Sequence, residues 1–453
     1  MKVLVVGAGR VGLIMAVTLA RLGHEVVCLE KDAERVELLR QGCSPFWEAG
    51  LTQALREGLE AGRLAFAHAG ERYVIAPDTQ VVMLCVGTPV TAVGGIDLSQ
   101  LEAAVEFLLP RLEEDVLPAV TGPVALVTKS TVPVGTARAL AARIAARGMA
   151  GRVLVASNPE FLREGTALAD ALHPDRIVIG MQEPEAAAIL RELYAGIEAP
   201  VIVCDWQTAE LIKYAANAFL ATRLSLMNEL ADLAEATGAD IVEVARGIGF
   251  DPRIGPHYLK AGLGYGGSCL PKDVAGLIHM ACEQGVAPTL LTAVAAVNGL
   301  RPGKVVARLR QALGGSLEGR VVAVLGLSFK GGTDDLRSSP ALEVVRLLAR
   351  AGARVRTYDP AHPPGALAAV SAEILPSAYE AVRDAEAVAV VTDWDEFVQL
   401  DWERMRKMMA GRIVLDARLC LDAAHLSKLG FFYIAPGRGQ FPVFSGEEGE
   451  NRG

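Results

Sequence analysis

The stretch that most restricts what this chain can become is its first thirty residues. KVLVVGAGRVGL (2–13) begins as an apolar run and passes into a glycine-rich turn. Apolar residues then recur with a helical period through Arg21, Gly23 closes that helix, and HEVVCLE (24–30) reads as a second strand. Within this βαβ unit Gly7, Gly9 and Gly12 stand at G-x-G-x-x-G spacing. A glycine triplet alone says little. Here it follows a strand, opens a helix, and an acidic residue, Glu30, ends the second strand 18 residues beyond Gly12. That context is a dinucleotide-binding fingerprint. The glycines let a pyrophosphate approach the helix N-terminus. Glu30 bonds the adenosine ribose hydroxyls and repels a 2′-phosphate, so the expected cofactor is NAD rather than NADP. The plainer alternative for Glu30 is a solvated strand end. Arg35, on the following helix, either reaches the adenosine end or is an ordinary exposed arginine.

Further along, QVVMLCVGTPV (80–90), PVALVTKSTVPVGT (123–136) and RVLVASNPEFLREGTAL (152–168) each read as a buried strand running into a polar turn. RIVIG (176–180) and APVIVCD (199–205) are two later strands flanking a helix. Polar residues gather at the carboxyl ends of these strands, where an open parallel sheet binds its ligands. Residues 208–237 then contain neither Gly nor Pro, and these 30 residues would form a helix ~45 Å long. A helix of that length bridges domains and packs against a twin, so a homodimer through this central helix is the expected assembly. Lys213 and Asn217, four apart, share one of its faces. Lys213 sits among Leu211, Ile212 and Tyr214, an unusual place for a purely solvent-facing lysine. The alternative is a snorkelling lysine beside an unremarked polar position.

Residues 261–273, AGLGYGGSCLPKD, place one cysteine in a glycine-rich turn with Lys272 and Asp273 just behind it. Pro271 is expected to keep Leu270 out of helical geometry and to let a helix start beyond it. Cys269 then lies near a helix N-terminus and beside a lysine, and both features favour thiolate over thiol. A buried packing cysteine, the bland alternative, needs neither the glycines nor the Lys-Asp pair. The pattern is helical again over 274–299, and Pro302-Gly303 is expected to mark a hinge. Residues 319–360 form a second βαβ unit without the glycine triplet. It carries Phe329-Lys330 and then Asp334-Asp335-Leu336-Arg337 after its first strand. Two more strands end in polar residues at 387–397 and 412–418, and GEEGENRG (446–453) reads as a disordered tail.

The expected fold is α/β: two Rossmann-like doubly wound parallel-sheet domains joined by a long central helix and a small helical domain. The expected boundaries are 1–205 for an NAD-binding domain, 206–300 for the helical domain with the cysteine turn, and 301–453 for a second Rossmann-like sheet that presents Lys330 and Arg337 to a second ligand. A length of 453 residues gives each part its own core. The net charge of −9, without basic runs or aromatic stripes, argues against a nucleic-acid binder. Seven scattered cysteines without CxxC spacing, and histidines without metal spacing, point to free thiols in a reducing compartment and to no metal site. A strand beginning at Lys2 and no bilayer-length apolar run make the cytoplasm the expected setting.

The inventory of polar residues exceeds what a simple alcohol dehydrogenase needs. A nucleophile (Cys269) stands with carboxylates (Asp273, Glu160, Glu164), an amine (Lys213), an amide (Asn217) and a hydroxyl (Thr131). A cysteine attacks an aldehyde to give a thiohemiacetal, whose oxidation yields a thioester that water releases as an acid. The set suits a four-electron oxidation from alcohol to carboxylate. A two-electron dehydrogenase would have no use for Cys269 or Glu164.

On eight motifs in order, the chain resembles the UDP-glucose/GDP-mannose dehydrogenase family nearly end to end. They are GAGRVGL at Gly7, VGTP at Val86, KSTVPVGT at Lys129, NPEFLREG at Asn158, AELIKYAANAF at Ala209, GYGGSCLPKD at Gly264, SFKGGTDDLRSSP at Ser328 and TDWDEF at Thr392. The resemblance implies that the second ligand, at 301–453, is a UDP-sugar and that Cys269 is the nucleophile. It implies that Lys213, Asn217 and Asp273, with Thr131 and a water, move the proton of the sugar 6-hydroxyl and stabilise oxyanions, and that Glu164 is the base for thioester hydrolysis. Glu160 then positions water or substrate. Glu160, Phe161, Leu162, Arg163 and Glu164 line the sugar-nucleotide site with Tyr258, Leu259, Lys260, Ala261, Gly262 and Gly266. Lys213, Asn217, Lys330 and Arg253 also contact substrate, Arg253 across a dimer interface. Gly7, Gly9, Val11, Gly12, Glu30, Arg35, Thr88, Thr131, Glu164, Lys272 and Arg337 form the NAD site. DPRIG followed by YLKAGLGYGGSC is similar to the branch acting on UDP-glucose, whereas the GDP-mannose branch usually reads PGFAFGGSC. Arg10 and Leu270 stand where the family usually carries aromatics. Ala417 replaces a common glycine beside Arg418, a further implied substrate contact.

Overall fold

The computed structural model describes residues 1–70, 73–365 and 372–438, so the tail at 446–453 lies outside the described residues. The chain falls into two compact units. One is Met1–Ala218 with Lys272–Pro288, and the other is Phe219–Pro271 with Thr289–Gly453.

In the first unit β1 (Lys2–Val6), β2 (Glu25–Glu30), β3 (Leu64–His68), β4 (Val81–Leu84), β5 (Val124–Thr128), β6 (Val153–Ser157), β7 (Ile177–Met181) and β8 (Val201–Cys204) make one sheet. Its order is β3-β2-β1-β4-β5-β6-β7-β8. The six strands from β1 to β6 pair in parallel. β7 runs antiparallel to β6, and β8 parallel to β7. The link between β6 and β7 is given over to an irregular segment and the six-residue helix Ala167–Leu172, too short to cover a sheet face as a crossover helix does. Along β1, Val3 and Val5 enter one core with the helix Arg10–Arg21. Leu4 and Val6 enter another, beneath the helices Ser99–Arg111 and Thr136–Ala146. Burial on both faces is why the strands read as unbroken apolar runs.

The second unit repeats the plan in six parallel strands. These are β9 (Val321–Leu325), β10 (Arg354–Tyr358), β11 (Glu373–Ile374), β12 (Ala387–Val390), β13 (Ile413–Asp416) and β14 (Phe432–Ile434). Their order is β11-β10-β9-β12-β13-β14. Side chains again alternate between cores, Val322 and Val324 on one face and Ala323 and Leu325 on the other. The α/β class with two doubly wound sheets is thus as expected. The sequence reading passed over β3, β11 and β14, which lie at sheet edges. β11 has only 2 residues and β14 only 3, and β3 is half exposed, so none carries a full apolar run.

The long helix spans Trp206–Thr237, 32 residues, and starts directly after Asp205. The stretch expected as one helix is two, Leu270–Glu283 and Thr289–Ala312. Gly285, at φ 70°, turns the chain between them, with its N–H donating to the Cys282 carbonyl. Leu270 is already helical and Pro271 is the second helical residue, a position whose N–H an α-helix leaves unpaired in any case. Pro302-Gly303 is not a hinge. Both lie inside Thr289–Ala312, where Arg301 and Pro302 are buried and Val305 and Val306 pack into a core of the second unit with Val322 and Val324. That packing outweighs the one backbone hydrogen bond the proline forgoes.

Gly7 and Gly326 occupy equivalent places after β1 and β9, at φ 97° and 105°. A Cβ on Gly326 would lie 2.3 Å from the Thr392 side chain, whereas one on Gly255, at φ 70°, would meet nothing within 4 Å. Gly255→Ala is therefore expected to cost about 1 kcal/mol, the left-handed backbone alone, and Gly326→Ala at least ~3 kcal/mol. Urea unfolding of the two variants against the parent checks the difference. Equal costs would show that the Thr392 contact relaxes freely.

Candidate active site

The first βαβ unit builds a dinucleotide cradle from three glycines with three separate duties. Gly7 makes the turn at φ 97°, with a Cβ there only 2.9 Å from the Cys85 carbonyl oxygen. Gly12 seats the helix on the strand, since its Cβ would fall 1.8 Å from the Gly7 carbonyl oxygen. Gly9 faces open space, with nothing within 4 Å of an added Cβ. It also precedes a helix start that no side chain caps and that has no acid in its first turn. Bare N–H groups beside an open glycine fit a dinucleotide diphosphate. Glu30 is 6 % exposed, not a solvated strand end. Its Oε2 accepts from the Ala8 N–H (2.9 Å) and its Oε1 from the Lys31 (2.7 Å) and Asp32 (3.1 Å) N–H groups. Arg35 stands 3.6 Å away, paired with Glu30 and half exposed. Cys28 and Cys85 pack behind the turn, and burial pushes the Cys85 thiol up to about 12 and raises that of Cys28. At the next strand ends the Thr88 hydroxyl donates to the Thr131 carbonyl at 2.9 Å. In the second unit Asp359 takes the place of Glu30. It accepts from the N–H groups of Leu327 (2.7 Å), Ser328 (3.0 Å) and Ala361 (2.9 Å) and from the Trp394 indole (3.3 Å).

Lys213 is buried, not snorkelling, at 3 % exposure. Its Nζ donates to Glu160 Oε1 at 3.0 Å, and Oε2 of the same carboxylate accepts from the Leu162 N–H at 2.6 Å. Burial acts to raise the Glu160 carboxyl, but the Lys213 ammonium, the Leu162 N–H and Lys129 outweigh it and hold the group below its ordinary value. Two cations lie near the Phe161 ring, Arg176 at 3.6 Å and Lys213 at 5.4 Å from its centre. One turn along the helix, Asn217 Nδ2 donates to Asp273 Oδ2 at 2.5 Å, and Lys272 Nζ donates to Oδ1 at 2.7 Å. Asp273 is fully buried. Lys213, Glu160, Asn217, Asp273 and Lys272 thus form two carboxylates, each with a nitrogen donor from one helix face. Glu164 pairs with Arg10 (3.9 Å), and Arg163 with Asp170 (2.8 Å from its backbone N–H).

In the second unit the cysteine turn is clamped. A Cβ on Gly262 would lie 2.7 Å from the Ala417 carbonyl, on Gly264 2.5 Å from Asn298 Oδ1, and on Gly267 2.8 Å from the Phe329 ring. Gly266 is equally enclosed by Ser338, Pro340 and Phe329. Asn298 binds Tyr265 in both directions, at 2.8 and 3.0 Å. Asn228 accepts from the Gly262 N–H (2.8 Å), and buried Arg301 donates to the Gly262 carbonyl (3.1 Å), the Asn228 carbonyl (3.2 Å) and Asp232 (2.7 Å). Cys269 directly precedes the first helical residue and is partly exposed, with the Ser268 hydroxyl 3.5 Å from its sulfur. Leu259 and Ala261 pack into a small core with Met227 and Ala231. Tyr258 takes a left-handed φ of 58°, and Lys260 stands exposed. Lys330 lies 5.8 Å over the Phe329 ring. Arg337 forms a two-pronged pair with Asp335 (2.9 and 2.7 Å). Arg253, 87 % exposed, pairs with Asp251. Arg418 donates to the Val391 (2.8 Å), Gly264 (3.3 Å) and Phe329 carbonyls, so its guanidinium ties loops together.

Sequence reasoning missed Arg301, Asn298, Asn228 and Lys129. Asn228 carried a signal, since it lies 11 residues, three helical turns, beyond Asn217 and on the same face. Arg301 and Asn298 carried none, being hidden by the proline read as a break.

Three family models match the chain. They are the NAD-binding domain (residues 1–198), the central domain (207–299) and the UDP-binding domain (323–423) of the UDP-glucose/GDP-mannose dehydrogenase family. The UDP-glucose 6-dehydrogenase of Pseudomonas aeruginosa is 43% identical, covering 97% of this chain and 98% of that one. The enzyme of the same name from Rhizobium meliloti is 40% identical, covering 97% and 100%. The solved structure of a UDP-glucose dehydrogenase from the hyperthermophilic archaeon Pyrobaculum islandicum is 38% identical and superposes with a TM-score of 0.85 over 97% of this chain and 98% of that one.

Lys129 is buried, donating to Asn158 Oδ1 (2.9 Å) and the Tyr194 hydroxyl (3.2 Å). Burial brings its pKa down from 10.5 to about 8. The unfolded chain then binds the extra proton between these values, so this lysine costs stability below pH 8 and the cost fades as pH rises to 10.5. Over that window the parent should gain roughly 3 kcal/mol that Lys129→Met does not. Urea midpoints taken from pH 7.5 to 10.5 measure it, and parallel pH curves for the two proteins would refute it.

Proposed function

The chain belongs to the UDP-glucose/GDP-mannose dehydrogenase family, and on that premise we propose that it oxidises UDP-glucose to UDP-glucuronate, an NAD-dependent oxidation of four electrons in all. The observation that carries the reading is the pair of buried carboxylates, Glu160 and Asp273, each held by a donor from one face of a single helix, Lys213 and Asn217. Bound NAD would supply the hydride acceptor for each of two oxidations, held against Gly9 and Glu30, with Gly7, Val11, Gly12, Arg35, Thr88, Thr131, Lys272 and Arg337 around it.

In the proposed sequence the Asp273–Asn217–Lys213 group and Thr131, through a water, take the proton of the sugar 6-hydroxyl as a hydride leaves C6. The Cys269 thiolate adds to the resulting aldehyde carbon, and the oxygen gains a proton to give a thiohemiacetal. Loss of a second hydride and of the hydroxyl proton leaves a thioester. Glu164 takes a proton from water as the water attacks the thioester carbonyl. The C–S bond breaks, returning the Cys269 thiolate and releasing the acid. Lys213 and Asn217 donate to the oxyanions, and Glu160 keeps Lys213 charged and placed. Phe161, Leu162, Arg163, Tyr258, Leu259, Lys260, Ala261, Gly262, Gly266 and Lys330 are assigned to the sugar nucleotide. The three family models support a division at 1–205, 206–300 and 301–453, with the last part holding the uridine diphosphate. Seven free cysteines suit a reducing setting, the cytoplasm. No helix among the described residues is long and apolar enough to cross a membrane.

NADH released per limiting UDP-glucose tests the chemistry, with GDP-mannose in parallel. Two per UDP-glucose and little from GDP-mannose is the expected result. One per sugar would remove the roles of Cys269 and Glu164, and turnover of GDP-mannose alone would overturn the substrate. Cys269→Ser is expected to lose acid formation by roughly a thousandfold or more.

The same helix supports a homodimer. Phe219, Leu226 and Leu233 recur every seven residues and are 63%, 53% and 58% exposed, the spacing of a helix seam. Arg253, exposed beyond that helix, is assigned to the partner's substrate. Leu226→Glu should shift the sedimentation coefficient from dimer toward monomer, and an unchanged coefficient would place the interface elsewhere.

A further inference from the structure

Arg10 opens the helix Arg10–Arg21, directly after the open position at Gly9. Its Nε lies 3.9 Å from Glu164 Oε2, and the two side chains are only 21% and 14% exposed. The guanidinium also stacks on Phe46, 4.7 Å from the ring centre. Two residues on from Phe46, buried Glu48 accepts from the Gly165 N–H and the Ala167 N–H, both at 2.8 Å. One short segment therefore carries the surface on which Arg10 lies and fixes the backbone just past Glu164. A planar guanidinium stacks and pairs at once, which a lysine does less well. An ion pair this shielded from water is screened little by salt.

We propose that Arg10 is a positioning residue that holds the Glu164 carboxylate and ties its placement to occupation of the dinucleotide cradle. The same cation that orients Glu164 stands at the helix start that fits a diphosphate. Bringing that diphosphate's negative charges to the helix start makes the guanidinium common to both anions. Dinucleotide binding and the readiness of Glu164 to accept a proton from water are then linked, and each should report a change in Arg10. The inference rests on the reading of Glu164 as the base for thioester hydrolysis.

The test uses the full chain as Arg10→Met, Arg10→Lys and Glu164→Gln, with Arg10→Gln replacing Arg10→Met if that variant does not fold. Two quantities are read. The first is the dissociation constant of ADP-ribose, by titration calorimetry. The second is the decay of the sugar adduct on Cys269, by intact mass after rapid quenching. Arg10→Met should weaken ADP-ribose about fivefold and slow adduct decay roughly tenfold, in line with loss of one charge-assisted contact to each anion. Arg10→Lys should recover both to within about threefold. Adduct decay at the parental rate in Arg10→Met, with slow decay in Glu164→Gln, would overturn the role of Arg10 and leave that of Glu164. Parental decay in Glu164→Gln would remove the base itself and the proposal with it. Equal defects in Arg10→Met and Arg10→Lys would mean that shape, not charge, matters at this position, and would also overturn it.

Discussion

A guanidinium with 1 % exposure is expensive to bury unless it is hydrogen-bonded and its charge is paired. Arg301 has both, through the carbonyls of Gly262 and Asn228 and the carboxylate of Asp232. Because the charge is satisfied only when the 262 carbonyl stands in one place, its burial fixes the entrance to the cysteine turn. Asn298, one helical turn earlier, fixes Tyr265 in both directions. The turn is thus held between two helices, Thr289–Ala312 by Asn298 and Arg301, and Trp206–Thr237 by Asn228 and Asp232. Phe329 and Arg418 close it from the sheet side. The nucleophile proposed at Cys269 would need this support on so irregular a backbone, since glycines supply the geometry but no rigidity.

The long helix departs from a simple amphipathic arrangement by mixing polar residues into the apolar face it buries. Its buried face carries Lys213, Asn217, Ser225 and Asn228, and its open face carries Phe219, Leu226 and Leu233. A polar stripe inside is tolerable only because each member is bonded: Lys213 to Glu160, Asn217 to Asp273, Ser225 to the Val294 carbonyl and Asn228 to Gly262. Such networks specify geometry more than they stabilise. Stability comes from the two double-faced sheets, where parallel strands are covered on both sides.

Much of this was legible in the chain itself. The glycine triplet with Glu30, the polar strand ends, the Gly- and Pro-free helix and the Lys-Asp pair behind Cys269 each have a physical mechanism tied to spacing, and each lies where spacing placed it. What escaped obeys no local rule. β11 and β14 are too short for a periodic signal. The reversal at β7 depends on how a 158–176 link fills space. Pro302 reads as a breaker because local sequence cannot show that packing around Arg301 overrides it. The partners of buried Lys129, Asn158 and Tyr194, come from two other segments.

Glu30 has a consequence for anyone wishing to retune the protein's redox currency. Beyond the ribose contact proposed for it, its carboxylate accepts the N–H groups of Ala8, Lys31 and Asp32 and so shapes the bend that leads to the next helix. A small neutral residue there, whatever it did to the proposed repulsion of a phosphorylated ribose, would leave three backbone donors without their acceptor. On the proposed reading, preference between the two nicotinamide cofactors is tied to the loop's architecture. Switching it calls for a redesigned connection after β2, not for one exchanged side chain.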